Sequence, residues 1–323
     1  MKKFTKYLKW VGIVFLFFMF FIAAVVITKQ NRTFEAPYPS IHASNDSSVI
    51  ARGKELVYGA AHCAHCHAPI EKLADIEKGE IVPLSGGHIF DIPPGKIHTP
   101  NITSDKETGI GLWPDSVIAR SLRYGIGYDG RAIPDFMPFQ HMSDQDLTAI
   151  ISYLRTTAPI KNNVPKTEWN VLGKILKALV IEPVGPTSEV PTSVESGPTP
   201  EYGKYLAESV ANCRGCHTDR DLKTGKYVGI PYAGGFHMPA ETNPKMEVVT
   251  QNITSDPQTG KLAGMTENDF IARFRKGRII KESTMPWGPF SRLQDDDLRA
   301  IYRFLKTVPP VNNNPGPALV SIK

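Results

Sequence analysis

Cysteine is scarce in this sequence: four residues in 323, all in two close pairs, Cys63/Cys66 and Cys213/Cys216. That excludes a disulfide-dense scaffold, and it leaves no further thiol to ligate a metal or attack a substrate. Strand signals are scarce too. No run alternates β-branched and polar residues for long enough to read as a strand, so the expected class is all-α. An excess of one charge is also missing. The formal +5 arises because residues 1–32 carry six basic groups and no acidic one; the remainder has 31 basic against 32 acidic residues. A near-neutral body gives no basis for nucleic-acid binding.

Charge is absent altogether between Lys9 and Lys29, where Trp10 to Ile27 is almost wholly apolar and rich in Phe. About 19 such residues, rising 1.5 Å each, span roughly 28 Å, close to a bilayer core. Lys2, Lys3, Lys6 and Lys9 precede the run, and Lys29 and Arg32 follow it. This bias predicts a single-pass helix with its N-terminus cytoplasmic and all later residues outside. A cleaved signal peptide is the competing reading, but it is usually shorter and ends in an Ala-x-Ala-like site. Here the run ends Ala-Ala-Val-Val-Ile-Thr-Lys, which favours an uncleaved anchor.

Beyond the anchor the chain repeats itself. Asn-Ile-Thr-Ser-Asp stands at 101–105 and again at 252–256, and Thr108-Gly109 matches Thr259-Gly260. Met137-Pro138 matches Met285-Pro286, and Asp146-Leu147-x-Ala149-Ile150 matches Asp297-Leu298-x-Ala300-Ile301. Ordered matches at nearly constant offset predict two similar units, 49–165 and 199–312. Each should open with a helix leading into its cysteine pair, with Thr199 as cap and Pro200 in the first turn of the second. Each should close with a helix, its apolar face being Leu147, Ile150, Ile151 and Leu154, or Leu298, Ile301 and Leu305. Ser143 and Asp146 resemble a capping box. Between the units, Trp169–Ile181 reads as a helix packed on the first unit, with a partner or membrane-surface contact as alternatives. Glu182–Pro198 reads as a surface linker.

The cysteine pairs stand in Cys63-Ala-His-Cys66-His67 and Cys213-Arg-Gly-Cys216-His217. Cys-x-x-Cys-His is the attachment signature of c-type haem. Two thiols three apart on a helical turn can each add to one haem vinyl, and the adjacent imidazole then lies under the iron. A zinc site using both pairs would leave His67 and His217 unexplained, and a redox dithiol would want a strand-helix context. For the sixth iron position, a thioether is the ligand that raises potential. Met137 and Met285 hold equivalent places, each followed by Pro and an aromatic residue before the last helix. Met142, Met238, Met246 and Met265 have no such equivalence and read as packing. His62 and His65 would tune the first motif's surface, and His88 and His237 follow Gly-Gly pairs. Arg123 and Arg275 align as partners for haem propionates, with a solvated face as the alternative. The repeated Asn-Ile-Thr-Ser-Asp could be a polar loop over a haem rim.

With these residues in view, the chain resembles the cytochrome c subunit of membrane-bound alcohol and aldehyde dehydrogenases and related dihaem cytochromes c. The resemblance rests on Cys-x-x-Cys-His, Asn-Ile-Thr-x-Asp-x-x-Thr-Gly, Arg-x-Gly, Met-Pro-aromatic and Asp-x-Asp-Leu, and covers 49–312. It implies two tandem class I cytochrome c domains with iron held by His67/Met137 and His217/Met285. It also implies an electron carrier with no catalytic residues. Expected partners are a dehydrogenase subunit, a quinol-oxidising complex or a terminal oxidase, with the haem domains on the periplasmic face of a bacterial inner membrane. Those subunits carry three haem motifs where this chain has two. The expected layout is an anchor at 1–30, a linker at 31–48, domains at 49–165 and 199–312 joined by 166–198, and a tail at 313–323. A dihaem peroxidase is the enzymatic alternative, but it needs an open iron, which two equivalent Met-Pro sites disfavour. A thiolate-ligated sulfur-compound dehydrogenase would need a fifth cysteine. Arg273, Arg275, Lys276, Arg278 and Lys281 could steer an acidic partner.

Overall fold

The computed structural model describes residues 2–221, 226–240, 243 and 245–322. Met1 and Lys323, at the ends of the expected anchor and tail, lie outside the described residues, as do the side chains of Lys2 and Lys3. Helix α1 (Lys2–Lys29) is followed by α2 (Ser47–Tyr58), the short α3 (Cys63–His67) and α4 (Leu73–Glu77). A hairpin of β1 (Ile89–Ile92) and β2 (Gly95–His98) precedes α5 (Asp115–Tyr124) and α6 (Asp144–Thr156). Then come β3 (Glu168–Trp169), α7 (Val171–Leu179), α8 (Pro200–Tyr205) and α9 (Cys213–Cys216). The remainder holds β4 (His237–Pro239), β5 (Met246–Val249), α10 (Glu267–Arg275), α11 (Trp287–Phe290), α12 (Asp295–Thr307) and β6 (Leu319–Ser321).

Local chemistry starts the helices. Asp46 caps α2 by accepting from the Ser48 amide at 2.7 Å, and Ser143 caps α6 through the Asp146 amide at 3.1 Å. Thr199 caps α8, with Pro200 in its first turn, and Thr266 and Asp269 form a reciprocal capping box on α10. The framework of each half is one helix crossing: α2 packs on α6, and α8 on α12. Gly53 and Gly203 permit both crossings, since a Cβ there would overlap the carbonyl of Ala149 or of Ala300. The apolar faces of α6 and α12 are fully buried, as their spacing predicts.

The all-α expectation is corrected by two three-stranded antiparallel sheets, β1-β2-β3 and β4-β5-β6. Ile89 pairs with His98 and Gly95 with Trp169; His237 pairs with Val249 and Met246 with Ser321. Each strand has two to four residues, too few for a period-2 pattern to register. Each third strand comes from a segment expected to be linker or tail, so its pairing depends on distant chain.

Two tandem domains are corrected as well. Buried residues of both halves make one continuous core, from Leu56 and Ile150 through Leu206 to Leu298. Arg52, held to Asp146 of its own half at 2.9 and 3.1 Å, donates across the junction to the Tyr202 hydroxyl at 3.1 Å. Tyr205 donates to the same Asp146 at 2.8 Å. A second bridge joins Arg278 to Glu77, and the His62 ring meets Phe290 edge-on at 5.5 Å. The halves are fused faces of one body.

Candidate functional site

Each Cys-x-x-Cys-His segment is entered through a left-handed residue, His62 at φ 40° and Asn212 at φ 52°. This conformation costs a side-chain-bearing residue roughly 1 kcal/mol, and it turns the chain abruptly from the preceding helix into the motif. None of the four cysteines is in a disulfide. Burial pushes the Cys63 and Cys213 thiols up to about 12, and raises that of Cys216. These three thiols are therefore protonated at physiological pH, a poor state for a redox dithiol. Among the described residues, no three His, Cys, Asp or Glu side chains converge to hold a metal by themselves.

His67 and His217 are fixed in the same way. Nδ1 of His67 lies 2.9 Å from the Pro100 carbonyl, and Nδ1 of His217 lies 2.8 Å from the Gln251 carbonyl. A carbonyl only accepts, so Nδ1 carries the proton and Nε2 keeps its lone pair. Burial lowers both imidazole pKa values, which holds the rings neutral. A neutral imidazole with one nitrogen anchored and the other presented is the arrangement a metal ligand needs.

The frame behind those carbonyls was not foreseen from the sequence. Pro100 and Gln251 immediately precede the two Asn-Ile-Thr segments, and these are buried braces. Asn101 is 2 % exposed and Asn252 0 %. The Asn101 amide donates to the Ile160 carbonyl at 2.7 Å and to Thr108 Oγ1 at 3.1 Å, while its oxygen accepts from the Thr103 amide at 3.0 Å. Asn252 repeats this with Val311 at 2.8 Å, Thr259 at 3.0 Å and Thr254 at 3.0 Å. Both asparagines are buried, so each repeated segment is an internal brace. On the other side, the Gly86 and Gly234 amides donate to the carbonyls of His67 and His217 at 2.7 and 2.9 Å. Both glycines have positive φ, and a Cβ would strike the Pro100–Asn101 or Gln251–Asn252 backbone.

Met137 and Met285 are half-buried against the common core. Each carbonyl accepts from the amide two residues on, Phe139 at 2.9 Å and Trp287 at 2.7 Å, so the same tight turn carries both side chains. Met142 is fully buried. Arg123 donates to the Met142 carbonyl and Asp144 at 2.9 and 3.0 Å. Arg275 donates to the Leu293 carbonyl and Asp295 at 2.7 and 2.5 Å. Both arginines thus clamp the turn before the last helix, and Arg123 is buried, which sets aside the solvated-face alternative for it. The basic cluster is partly used internally too: Arg273 stacks on Trp287 at 3.6 Å and Arg278 pairs with Glu77. His88 lies against Phe90, and His237 meets Glu247 at 3.0 Å.

Paired thiols one helical turn apart, followed by an imidazole whose Nδ1 is anchored and whose Nε2 is presented, are a donor set that fits haem c. Comparison with known proteins agrees. Residues 50–158 match the cytochrome c family model. The chain is 29 % identical over 299 residues to the cytochrome c subunit of the quinone alcohol dehydrogenase of Gluconobacter oxydans, covering 85 % of this chain and 58 % of that one. It is 26 % identical to a subunit of the nicotinate dehydrogenase of Pseudomonas putida, covering 81 % of this chain and 21 % of the relative. Against a dihaem c-type cytochrome of Cereibacter sphaeroides it is 27 % identical, covering 80 % and 85 %. The chain spans only about a fifth to three fifths of the length of the first two relatives. With its motifs framed as described, the chain carries a cytochrome c domain over residues 50–158 and is a homologue of the cytochrome c subunits of dehydrogenases.

Proposed function

We propose that this chain is a membrane-anchored dihaem electron carrier that takes electrons from a dehydrogenase and passes them to a downstream acceptor. One haem would be held through Cys63 and Cys66 with His67 and Met137 at its iron, within 49–165. The second would be held through Cys213 and Cys216 with His217 and Met285, within 199–312. The observation that carries this reading is the doubled frame: in both halves Nδ1 of the motif histidine donates to the carbonyl before a buried Asn-x-Thr brace. Bound haem supplies one-electron chemistry at iron, and the protein sets its potential through ligand identity, burial and the hydrogen bonds behind the ligands. The residues around it need no general base or nucleophile. They hold two nitrogen ligands still, offer two thioethers and exclude water.

Helix α1 supports the anchor. Within Lys6–Lys29 an 18-residue stretch has a mean hydropathy of 2.9 with none of it buried, so by length and composition the helix can cross a membrane. The lysines before it favour a cytoplasmic N-terminus, with both haem-binding halves on the periplasmic side. The names of the relatives support a dehydrogenase as donor. A pyridine haemochrome assay on the full chain, matured with haem-attachment machinery, tests the assignment. Two haems c per polypeptide are expected, and a value of one or none overturns it.

A further inference from the structure

Helix α7 follows β3 and is pinned to the first half from one side. Asn170 caps it by accepting from the Gly173 amide at 3.0 Å and donates to the Pro93 carbonyl at 2.8 Å. Gly173 presses on the β1–β2 turn so closely that a Cβ there would overlap the Pro94 carbonyl. The opposite side of the helix is largely exposed. Val171 is 75 % exposed, Leu172 47 % and Leu179 52 %, and the following Val180 is 50 % exposed. Val171, Leu172, half-buried Ile175 and Leu179 lie within about 100° of arc at 3.6 residues per turn, facing away from Gly173. Lys174 and Lys177 lie outside that arc, and the Lys177 ammonium is 5.8 Å from the Trp169 ring centroid.

What distinguishes this apolar face is its neighbour. α7 packs against α1. Arg32 donates to the Ile181 carbonyl at 2.8 Å and Lys177 to Asn31 at 3.5 Å, so the end of α7 is tied to the residues that leave the apolar helix. Within α1 the half-buried residues are Ile22, Val25 and Val26, all near its C-terminal end. Val26 and Ile22 stand three and seven residues before Lys29. At 1.5 Å per residue that is about 4 to 11 Å inside the apolar span. Interfacial helices bury their apolar face to about 5–10 Å below the headgroups.

We propose that α7 is an interfacial helix: its Val171–Leu172–Ile175–Leu179 face lies in the outer leaflet beside α1, with Lys174 and Lys177 among the headgroups. The inference rests on α1 crossing the bilayer. It adds that the haem-binding body lies against the membrane through a second contact, on the side of the β1–β2 turn. The occupant is lipid because the face is continuous with the lipid-facing surface of α1 at matching depth, and lysines border it as anionic headgroups require.

The test places a diazirine-bearing side chain singly at Phe18, Leu172, Lys174 and Leu179 of the full haem-loaded chain. The protein is reconstituted in phosphatidylethanolamine/phosphatidylglycerol vesicles and irradiated. Lipid adducts are counted by mass spectrometry, with the haem spectrum reporting the fold of each variant. Positions 18, 172 and 179 should give lipid adducts at least fivefold above position 174. Adducts at 18 with 172 and 179 no higher than 174 overturn the interfacial helix and leave the anchor standing. Absence of adducts at 18 removes the anchor and this inference with it. In native membranes, crosslinks from 172 and 179 to a polypeptide in place of lipid would likewise overturn it.

Discussion

His67 and His217 each spend one nitrogen on a main-chain carbonyl, and that hydrogen bond orients the ring as well as choosing its tautomer. The methionines are the complementary test of the iron ligands. Met137→Ala or Met285→Ala is expected to remove about half of the sulfur-to-iron charge-transfer absorption of the oxidised protein and to lower one of two midpoint potentials, as loss of a thioether ligand should. An unchanged spectrum in either variant reassigns that position. A pH effect follows from the turns beyond each brace. Asp105 is held below its ordinary value chiefly by the Thr108 amide and hydroxyl, and Asp256 by the hydroxyl and amide of Thr259. A carboxylate with a depressed folded pKa stabilises the fold above its unfolded pKa of about 3.9, and that contribution is lost as pH falls through the folded value. Urea midpoints should therefore fall below about pH 4, and the double variant Asp105→Asn/Asp256→Asn should flatten that limb. An acid limb as steep as the wild type's would count against these turns. The cysteine and histidine positions were legible because the Cys-x-x-Cys-His pattern is contained in five consecutive residues. The asparagine braces were legible only as a repeated string. Their partners, Ile160 and Val311, lie 59 residues away, and nothing near Asn101 or Asn252 announces burial.

Helices here are begun by caps and kept by crossings. Caps are written in neighbouring residues, so Ser143, Thr199 and the apolar faces of α6 and α12 could be read directly. Gly53 and Gly203 could be suspected of a close approach, because each precedes a motif by the same interval. Their partners are backbone atoms, which cannot swing aside as a side chain does. Gly203→Ala should therefore force α8 and α12 apart and cost about 1–3 kcal/mol, the range for overpacking a close contact. Chemical denaturation of the haem-loaded chain measures this, and a loss under about 0.5 kcal/mol, the usual size of an inconsequential surface change, would mean the crossing yields. The strands were illegible for the opposite reason. Two to four residues beside Pro93-Pro94 carry no periodic signal, and β3 and β6 reach their partners from segments whose composition reads as connection.

Fusion of the halves governs the behaviour of the whole molecule. Its centre is polar: Asp146 is 6 % exposed and accepts from both Arg52 and Tyr205. Two separate units were expected from the repeat alone, and a repeat carries no signal of which faces the two copies bury against each other. Arg52→Ala leaves the Asp146 carboxylate short of its cation in a buried setting. The arginine itself keeps some contact with water, so the cost should be about 2 kcal/mol, between exposed and fully buried pairs. Calorimetry should show one transition for the wild type and a broadened or split one for the variant. Two resolved transitions in the wild type would mean that the common core does not couple the halves. The braces also bear on how the molecule is made. The ribosome releases Cys63 and Cys66 well before Ile160, whose carbonyl anchors the Asn101 amide that frames His67. Each thiol pair therefore emerges while its enclosing frame is still unsynthesised, so under the proposed dihaem assignment haem would be attached to open polypeptide before the frame closes.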